Sequence, residues 1–206
     1  MAGSMLEAMD HDLHKSRRSA VSNFFSKRSV SMLEPLVLTS VEKLIHRLKG
    51  DKIVNLNNAF TTITIDIISA YCFGECMNSL DCPEYGKQWL EMLHGGIQMR
   101  PLGRQFRWLV NTLYDIPPEF MARFSADMAR INTWTHQMWP KIERILAGKE
   151  EKRDVQRTIF HEMRDGKLSD AEKMPMRLMG ESHVFLGAGT ETAARSCYGV
   201  LSDEEE

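Results

Sequence analysis

The sequence has no apolar run long enough to cross a bilayer. Its best stretch, Ile63 to Phe73, is interrupted by Asp66 and falls short of the ~20 residues a spanning helix needs. No secretory leader is expected either, since Met1 to His14 offers neither a basic start nor an apolar core. The chain is therefore expected to face the cytosol. Net charge is close to zero: 26 Lys and Arg against 28 Asp and Glu give −2, so no overall field favours nucleic acid or an acidic partner. There is no CxxC pair. Cys72, Cys76 and Cys82 cluster, but without zinc-site spacing or a fourth nearby ligand. With Cys197 they read as reduced thiols, and no metal ligand is assigned. Internal repeats and low-complexity linkers are absent as well.

What is present is a chain of 206 residues, 43% hydrophobic. That is enough to bury a core, as one domain or as an elongated piece of a larger one. Charge is unevenly spread. Residues 11–30 carry Lys15, Arg17, Arg18, Lys27 and Arg28 against Asp12 alone, and the chain ends Asp203-Glu204-Glu205-Glu206. Both runs read as solvated surface.

Most of the chain reads as helices. Leu33, Val37, Val41, Leu44 and Leu48 form one helical stripe over 31–49. Ser31 with Glu34 predicts a capping box at its start, and Gly50 a C′ residue at its end. Residues 57–73 fit two patterns. Ile63, Ile65 and Ile67 alternate as in a strand, whereas Phe60, Ile63, Ile67 and Tyr71 fit a helix; pattern alone leans to strand. A helix follows at 84–99, then Arg100-Pro-Leu-Gly and a mixed segment with Arg104, Phe106, Arg107, Trp108 and Leu109. Pro117-Pro118 predicts the start of one long helix with Phe120, Phe124, Met128, Ile131, Met138, Ile142 and Ile145 on a face, kinked at Pro140 and closed by Gly148. Lys149 to Arg157 reads as a loop. Ser169 and Glu172 predict a capping box, with Pro175 in the first turn of a last helix that buries Met174, Leu178, Phe185 and Leu186.

That last helix contains Gly187-Ala188-Gly189-Thr190-Glu191-Thr192. Each glycine inside a helix costs about 1 kcal/mol relative to alanine, so something must offset it. Tiny residues let a flat ligand approach the backbone, and the adjacent hydroxyls and carboxylate are suited to proton relay. The competing reading is a helix crossing where glycines permit tight packing. A dinucleotide loop is excluded, because Thr192 holds the third glycine position and only 14 residues remain.

Ala188-Gly189-Thr190-Glu191-Thr192 resembles the oxygen-activation motif on the long central helix of the cytochrome P450 haem-thiolate monooxygenases. Upstream, His14-Lys15-Ser16-Arg17-Arg18 followed by Phe24-Phe25-Ser26-Lys27-Arg28-Ser29-Val30 is similar to the third helix of that family, in the version typical of fungal, trichodiene-oxygenase-like members. The resemblance covers roughly residues 9 to 196. It implies a mainly α, partial cytochrome P450 fold of central helices, with a helix at 57–73. It further implies haem as cofactor, with His14 and Arg18 at a propionate and Ala188 and Gly189 facing the haem. Thr192 and Glu191 would serve oxygen activation and proton delivery. A hydrophobic substrate and a reductase are the implied partners. The 100–120 region falls in the family's substrate-access lid, a candidate for peripheral membrane contact.

The sequence departs from the family in lacking the Glu-x-x-Arg helix, most of the sheet, and the loop Phe-x-x-Gly-x-Arg-x-Cys-x-Gly. Arg195-Ser196-Cys197-Tyr198-Gly199 matches the end of that loop, but Thr190 and Ala193 stand where its Phe and first Gly belong. Cys197 follows Thr192 on what should be the same helix, so it is not expected to reach the opposite face of a haem. The expectation is a truncated P450-family piece over residues 1–198 with an unrelated acidic tail over 199–206. On this reading it is catalytically incompetent alone, for want of an axial thiolate, and cytoplasmic or peripheral on the endoplasmic reticulum. The alternatives are half of a split monooxygenase, or a non-enzymatic helical module that binds a hydrophobic ligand or partner. Nucleic-acid binding ranks last.

Overall fold

The computed structural model describes residues 4–50, 53–106, 112, 116–149 and 156–203, with the backbone alone for 96–104 and 201–203. Among the described residues the secondary structure is helical, with no strand. The helices are α1 (His11–Ser22), α2 (Lys27–Ser31), α3 (Glu34–Gly50), α4 (Leu56–Phe73) and α5 (Lys87–Gln105), then α6 (Pro118–Met121), α7 (Ala126–Leu146), α8 (Ile159–Asp165) and α9 (Pro175–Asp203). The chain divides into two compact units. The first comprises Met1–Val21 and Glu91–Val184, the second Ser22–Leu90 and Phe185–Glu206. No helix of the described residues is long and apolar enough to cross a membrane.

In the first unit, the helix predicted to run on from Pro117-Pro118 is broken in two. Ser125 adopts φ −156° and its hydroxyl accepts from Met128 N at 3.3 Å, capping α7 afresh. Phe120 and Phe124 are thereby left outside the buried stripe. They are 50% and 75% exposed and pack on each other with ring centroids 5.4 Å apart. Met138, Ile142 and Ile145 are fully buried, and Pro140 sits inside α7 without ending it. At the C-terminus Gly148, at φ 62°, donates to Ile145 O, and Lys149 N donates to Arg144 O, each at 3.1 Å. These two bonds form the glycine-closed Schellman turn the sequence predicts. Of the predicted loop, Glu150 to Val155 lie outside the described residues. Helix α8 opens with a capping box in which Thr158 N donates to His161 Nδ1 at 3.0 Å. It packs against α7, where Arg164 Nη1 donates to Ile145 O at 2.9 Å, and its Ile159, Phe160 and Met163 are buried. The backbone of α5 continues through Arg100-Pro101-Leu102-Gly103, where a break was expected. A proline keeps a helical φ and removes one ladder bond there. Arg107, Trp108 and Leu109 lie outside the described residues.

The predicted capping box at Ser169 does not form. Glu172 N donates to Ser169 O at 2.9 Å in a 3-10 turn, while the Ser169 hydroxyl makes no capping bond. The Glu172 carboxylate is held elsewhere, by two arginines. Arg17 donates to it through Nε at 2.6 Å and Nη2 at 2.9 Å, and Arg177 Nε lies 2.8 Å away. Arg177 Nη2 also pairs with Glu181 Oε1 at 2.9 Å, which accepts Met5 N at the same distance. Arg17 Nη1 closes the network on Ser4 O at 3.0 Å. The hydrogen bond from Arg17 holds the Glu172 carboxyl below its usual range. Burial acts the other way on the deeper pair, raising Glu181 and lowering Arg177 despite their mutual attraction. Pro175 does open α9, and Leu178 is buried, but Met174 is 58% exposed.

In the second unit, residues 57–73 are helical, as the family resemblance implied and against the strand leaning. Asn55 caps α4 by accepting from Asn58 N at 3.1 Å, and Gly74 ends it at φ 69°. The strand-like alternation arises because α4 is buried over much of its circumference, with Ala59, Thr62, Ile63, Ile65, Asp66, Cys72 and Phe73 all inside. Leu44, Ala59, Ile63, Leu80 and Tyr85 form its core with α3 and the following turns. Asp66 pins the turn Ser79–Asp81 by accepting Ser79 N at 2.6 Å and Leu80 N at 3.0 Å. Arg47 lies 4.0 Å over the Tyr85 ring and donates to Leu80 O. The start of α3 differs from expectation. Ser31 ends α2, its hydroxyl donating to Lys27 O at 2.9 Å, so it caps nothing, and Gly50 is still helical. Of the predicted stripe, Leu44 is fully buried and Leu48 packs on the core, whereas Val37 and Val41 remain exposed.

Two measurements test these contacts. Ser125→Ala should lower stability by about 1 kcal/mol, seen as a fall in urea midpoint at unchanged slope. Glu172→Gln should cost on the order of 3 kcal/mol near neutral pH by stranding buried guanidinium groups. A lowered carboxyl stabilises above its ordinary value and loses that contribution as pH falls through its folded value. The deficit of Glu172→Gln should therefore close on acidification, and a deficit constant with pH would disprove the assignment.

Candidate functional site

His14 and Arg18 are placed by α1. Asp10 starts this helix, its Oδ1 accepting Leu13 N at 2.8 Å. The i, i+4 spacing then sets His14 and Arg18 on one face. His14 is half-buried and Arg18 exposed, and among the described residues neither side chain makes a hydrogen bond or ion pair. Arg17, one residue away, points about 100° elsewhere and is 7% exposed in the network described above. Two adjacent arginines thus divide the work: Arg17 is consumed by the scaffold, and Arg18 is available to an anion.

Ala188, Gly189, Glu191 and Thr192 lie on the second-unit part of α9 and are described apart from His14 and Arg18. Leu186, Thr190 and Ala194 form the buried row of this stretch, each 1% exposed or less. Ala188, Thr192 and Ser196 form the exposed row, about 200° around the helix. Hydroxyls on both rows donate to the carbonyl four residues back: Thr190 to Leu186 O at 2.5 Å, Thr192 to Ala188 O at 2.7 Å, Ser196 to Thr192 O at 3.0 Å. Glu191 pairs with Arg195 at 2.7 Å along the surface.

The two glycines have different surroundings. A Cβ on Gly187 would meet nothing within 4 Å, whereas one on Gly189 would meet Ile68 Cγ1 at 2.8 Å and Cδ1 at 3.0 Å. The helix-crossing reading of the motif thus describes Gly189, and open space lies at Gly187. Thr64 Oγ1 also reaches Thr190 O, at 3.1 Å. Phe24 and Phe25 anchor the same unit, Phe24 stacked on Tyr71 at 4.3 Å and Phe25 on Phe185 at 5.5 Å. Sequence reasoning missed Thr64 and Ile68 as partners of the motif. Their i, i+4 spacing with Tyr71 beyond is a signal only once 57–73 is read as helix.

Neither Cys72 nor Cys76 is disposed to be a thiolate. Cys72 is fully buried and its thiol is pushed up to about 12, whereas Cys76 is exposed and its thiol is raised chiefly by partial burial. Cys197 is exposed on α9. Among the described residues no group of three or more His, Cys, Asp or Glu is placed to hold a metal ion.

The comparisons with known proteins agree with the motifs. The family model described as cytochrome P450 matches residues 2–201. The cytochrome P450 monooxygenase MO6277 of Ascocoryne sarcoides is 33% identical over 94% of this chain and 40% of its own length. The cytochrome P450 monooxygenase claJ of Penicillium crustosum is 29% identical over 98% of this chain and 48% of its own. The tryptophan 6-hydroxylase fscE of Fusarium equiseti is 28% identical over 93% and 39%. The chain thus spans less than half the length of these curated relatives. A family match over nearly every residue, on a helical chain that carries the motif in α9, has one meaning: this protein belongs to the cytochrome P450 family.

Proposed function

We propose that this chain is part of a haem-dependent monooxygenase, contributing an oxygen-side helix and an anchor for a haem propionate. The observation that carries the reading is the exposed row of α9. Ala188 and Thr192 face outward beside Gly187, whose Cβ position is empty. Chemically these residues suit a flat, apolar, anionic group. Unpaired among the described residues, the Arg18 guanidinium can grip a carboxylate with two N–H bonds, with His14 one turn away. Ala188 offers little bulk, and Gly189 can present only backbone, because its side-chain position belongs to Ile68.

Haem, when bound, supplies the redox chemistry of oxygen, and the protein orients and tunes it. The Thr192 hydroxyl has one proton, donated to Ala188 O, so its oxygen faces a ligand as an acceptor. Glu191, steadied by Arg195, is the group assigned to hold or pass a proton. No residue of this chain is assigned as the axial ligand. The monooxygenase and hydroxylase names of the relatives support oxygen insertion into a small metabolite. A hydrophobic secondary metabolite such as a terpenoid is proposed as substrate and a reductase as electron donor. Exposed Phe106 and Phe120 support a peripheral membrane contact at 100–120. A second reading, a helical module that binds a hydrophobic partner, is favoured by exposed Leu38 and Ile45 on α3.

Haemin titration separates the readings. The folded chain should take up haemin with a shifted Soret band. Arg18→Ala should weaken binding about tenfold, the worth of one charge-assisted bond. A folded chain that takes up no haemin would favour the partner-binding module. The reduced, carbon-monoxide-bound chain should lack a thiolate-type Soret band, because no cysteine is assigned to the iron; such a band would refute that assignment.

A further inference from the structure

The glycine at position 189 is accounted for by a neighbouring helix, and that accounts for the outward aim of its neighbours too. Ile68 of α4 occupies the volume a Cβ on Gly189 would need, at 2.8 Å from Cγ1 and 3.0 Å from Cδ1. Real Cβ atoms do not approach so closely, so with the Ile68 side chain seated as it is, this approach of α9 to α4 needs glycine there. One turn earlier on α4, the Thr64 hydroxyl has three carbonyls in reach. Phe60 O at 3.0 Å and Thr61 O at 2.8 Å are on its own helix, and Thr190 O at 3.1 Å is on α9. Leu186, Thr190 and Ala194 are buried in this unit. Ala188 and Thr192 lie about 200° away and are exposed.

We infer that Ile68 is a positioning residue of the candidate site: seated against Gly189, with Thr64 at the Thr190 carbonyl, it fixes the rotation of α9 and so aims Ala188 and Thr192 outward. The inference rests on the proposed haem site for its functional meaning, but the geometry belongs to the chain without ligand. A side chain at position 189 requires that Ile68 shift, the helices part, or α9 turn. A turn of one residue step moves Thr192 by about 100°, off the face it shares with Ala188. Ile68 touches no reacting group in this scheme and acts through Gly189.

The test is a size exchange, read on threonine-methyl-labelled full chain without haem. Gly189→Ala should move the Thr192 methyl resonance and, on haemin titration, weaken affinity about tenfold. Adding Ile68→Ala removes the Cγ1 and Cδ1 atoms in the way and should return the resonance and the affinity toward wild type. A role in packing alone would lower stability and leave the Thr192 resonance in place, and that result overturns the inference. So does a double variant no closer to wild type than Gly189→Ala. If Gly189→Ala does not fold, recovery of folding and of the Thr192 resonance in the double variant supports the inference, and failure to recover overturns it. Absence of haemin uptake by the wild-type chain would refute the proposed haem site, while the methyl resonance would still decide whether Ile68 sets the rotation.

Discussion

Buried charge is the constraint on which the first unit depends. Arg17, Glu172, Arg177 and Glu181 come from a helix, a 3-10 turn and the start of α9, and their network also fastens the backbone of Ser4 and Met5. Ions of this kind cannot be stranded singly without a penalty of several kcal/mol, so the elements that carry them are committed to one arrangement. The opposed directions of Glu172 and Glu181 follow from the same geometry. Glu172 keeps some contact with solvent and receives a bidentate fork, so attraction prevails. Glu181 is wholly buried, and desolvation prevails even with Arg177 beside it.

The second unit depends on closeness in place of charge. Helix α4 is buried around much of its surface, and where it meets α9 the contact is made by a branched side chain against a glycine. Close packing makes such a contact sensitive to a single methyl group. The aromatic contacts of Phe24 with Tyr71 and of Phe25 with Phe185 tie the segment after α1 to the same two helices. Asp66 fulfils a parallel need inside α4, where a buried carboxylate is matched to two backbone donors of the turn at Ser79 and Leu80.

Much of the fold was legible in the sequence, and the misses share a cause. The Gly148 turn, the first turn of α9 at Pro175 and the extent of α7 beyond Ser125 follow from local chemistry and were readable. The capping boxes proposed for Ser31 and Ser169 were not realised. In both cases the side chains had alternative partners: Ser31 its own preceding turn, Glu172 two distant arginines. A capping pattern states what a side chain can do, and tertiary contacts decide which option it takes. The strand leaning at 57–73 failed because burial over most of a helix erases its period. The motifs gave the family and the candidate residues. The role of Ile68 could not be read, because nothing in sequence links position 68 to position 189.

The same division recurs on both helices that carry the candidate site. Arg17 and Arg18 are adjacent and chemically alike, yet one is buried in ion pairs and the other open to solvent. Thr190 and Thr192 are two apart, yet one is fully buried with a carbonyl approached by Thr64, and the other faces out. Helical geometry enforces this, since steps of one and two residues turn a side chain by about 100° and 200°. A motif written on a helix therefore mixes residues that address a ligand with residues that hold the helix in place. In Ala188 to Thr192 the outward-facing set is Ala188 and Thr192, and the packed set is Gly189 and Thr190. Conserving such a motif's chemistry while altering its packing residues would redirect the former as surely as replacing them.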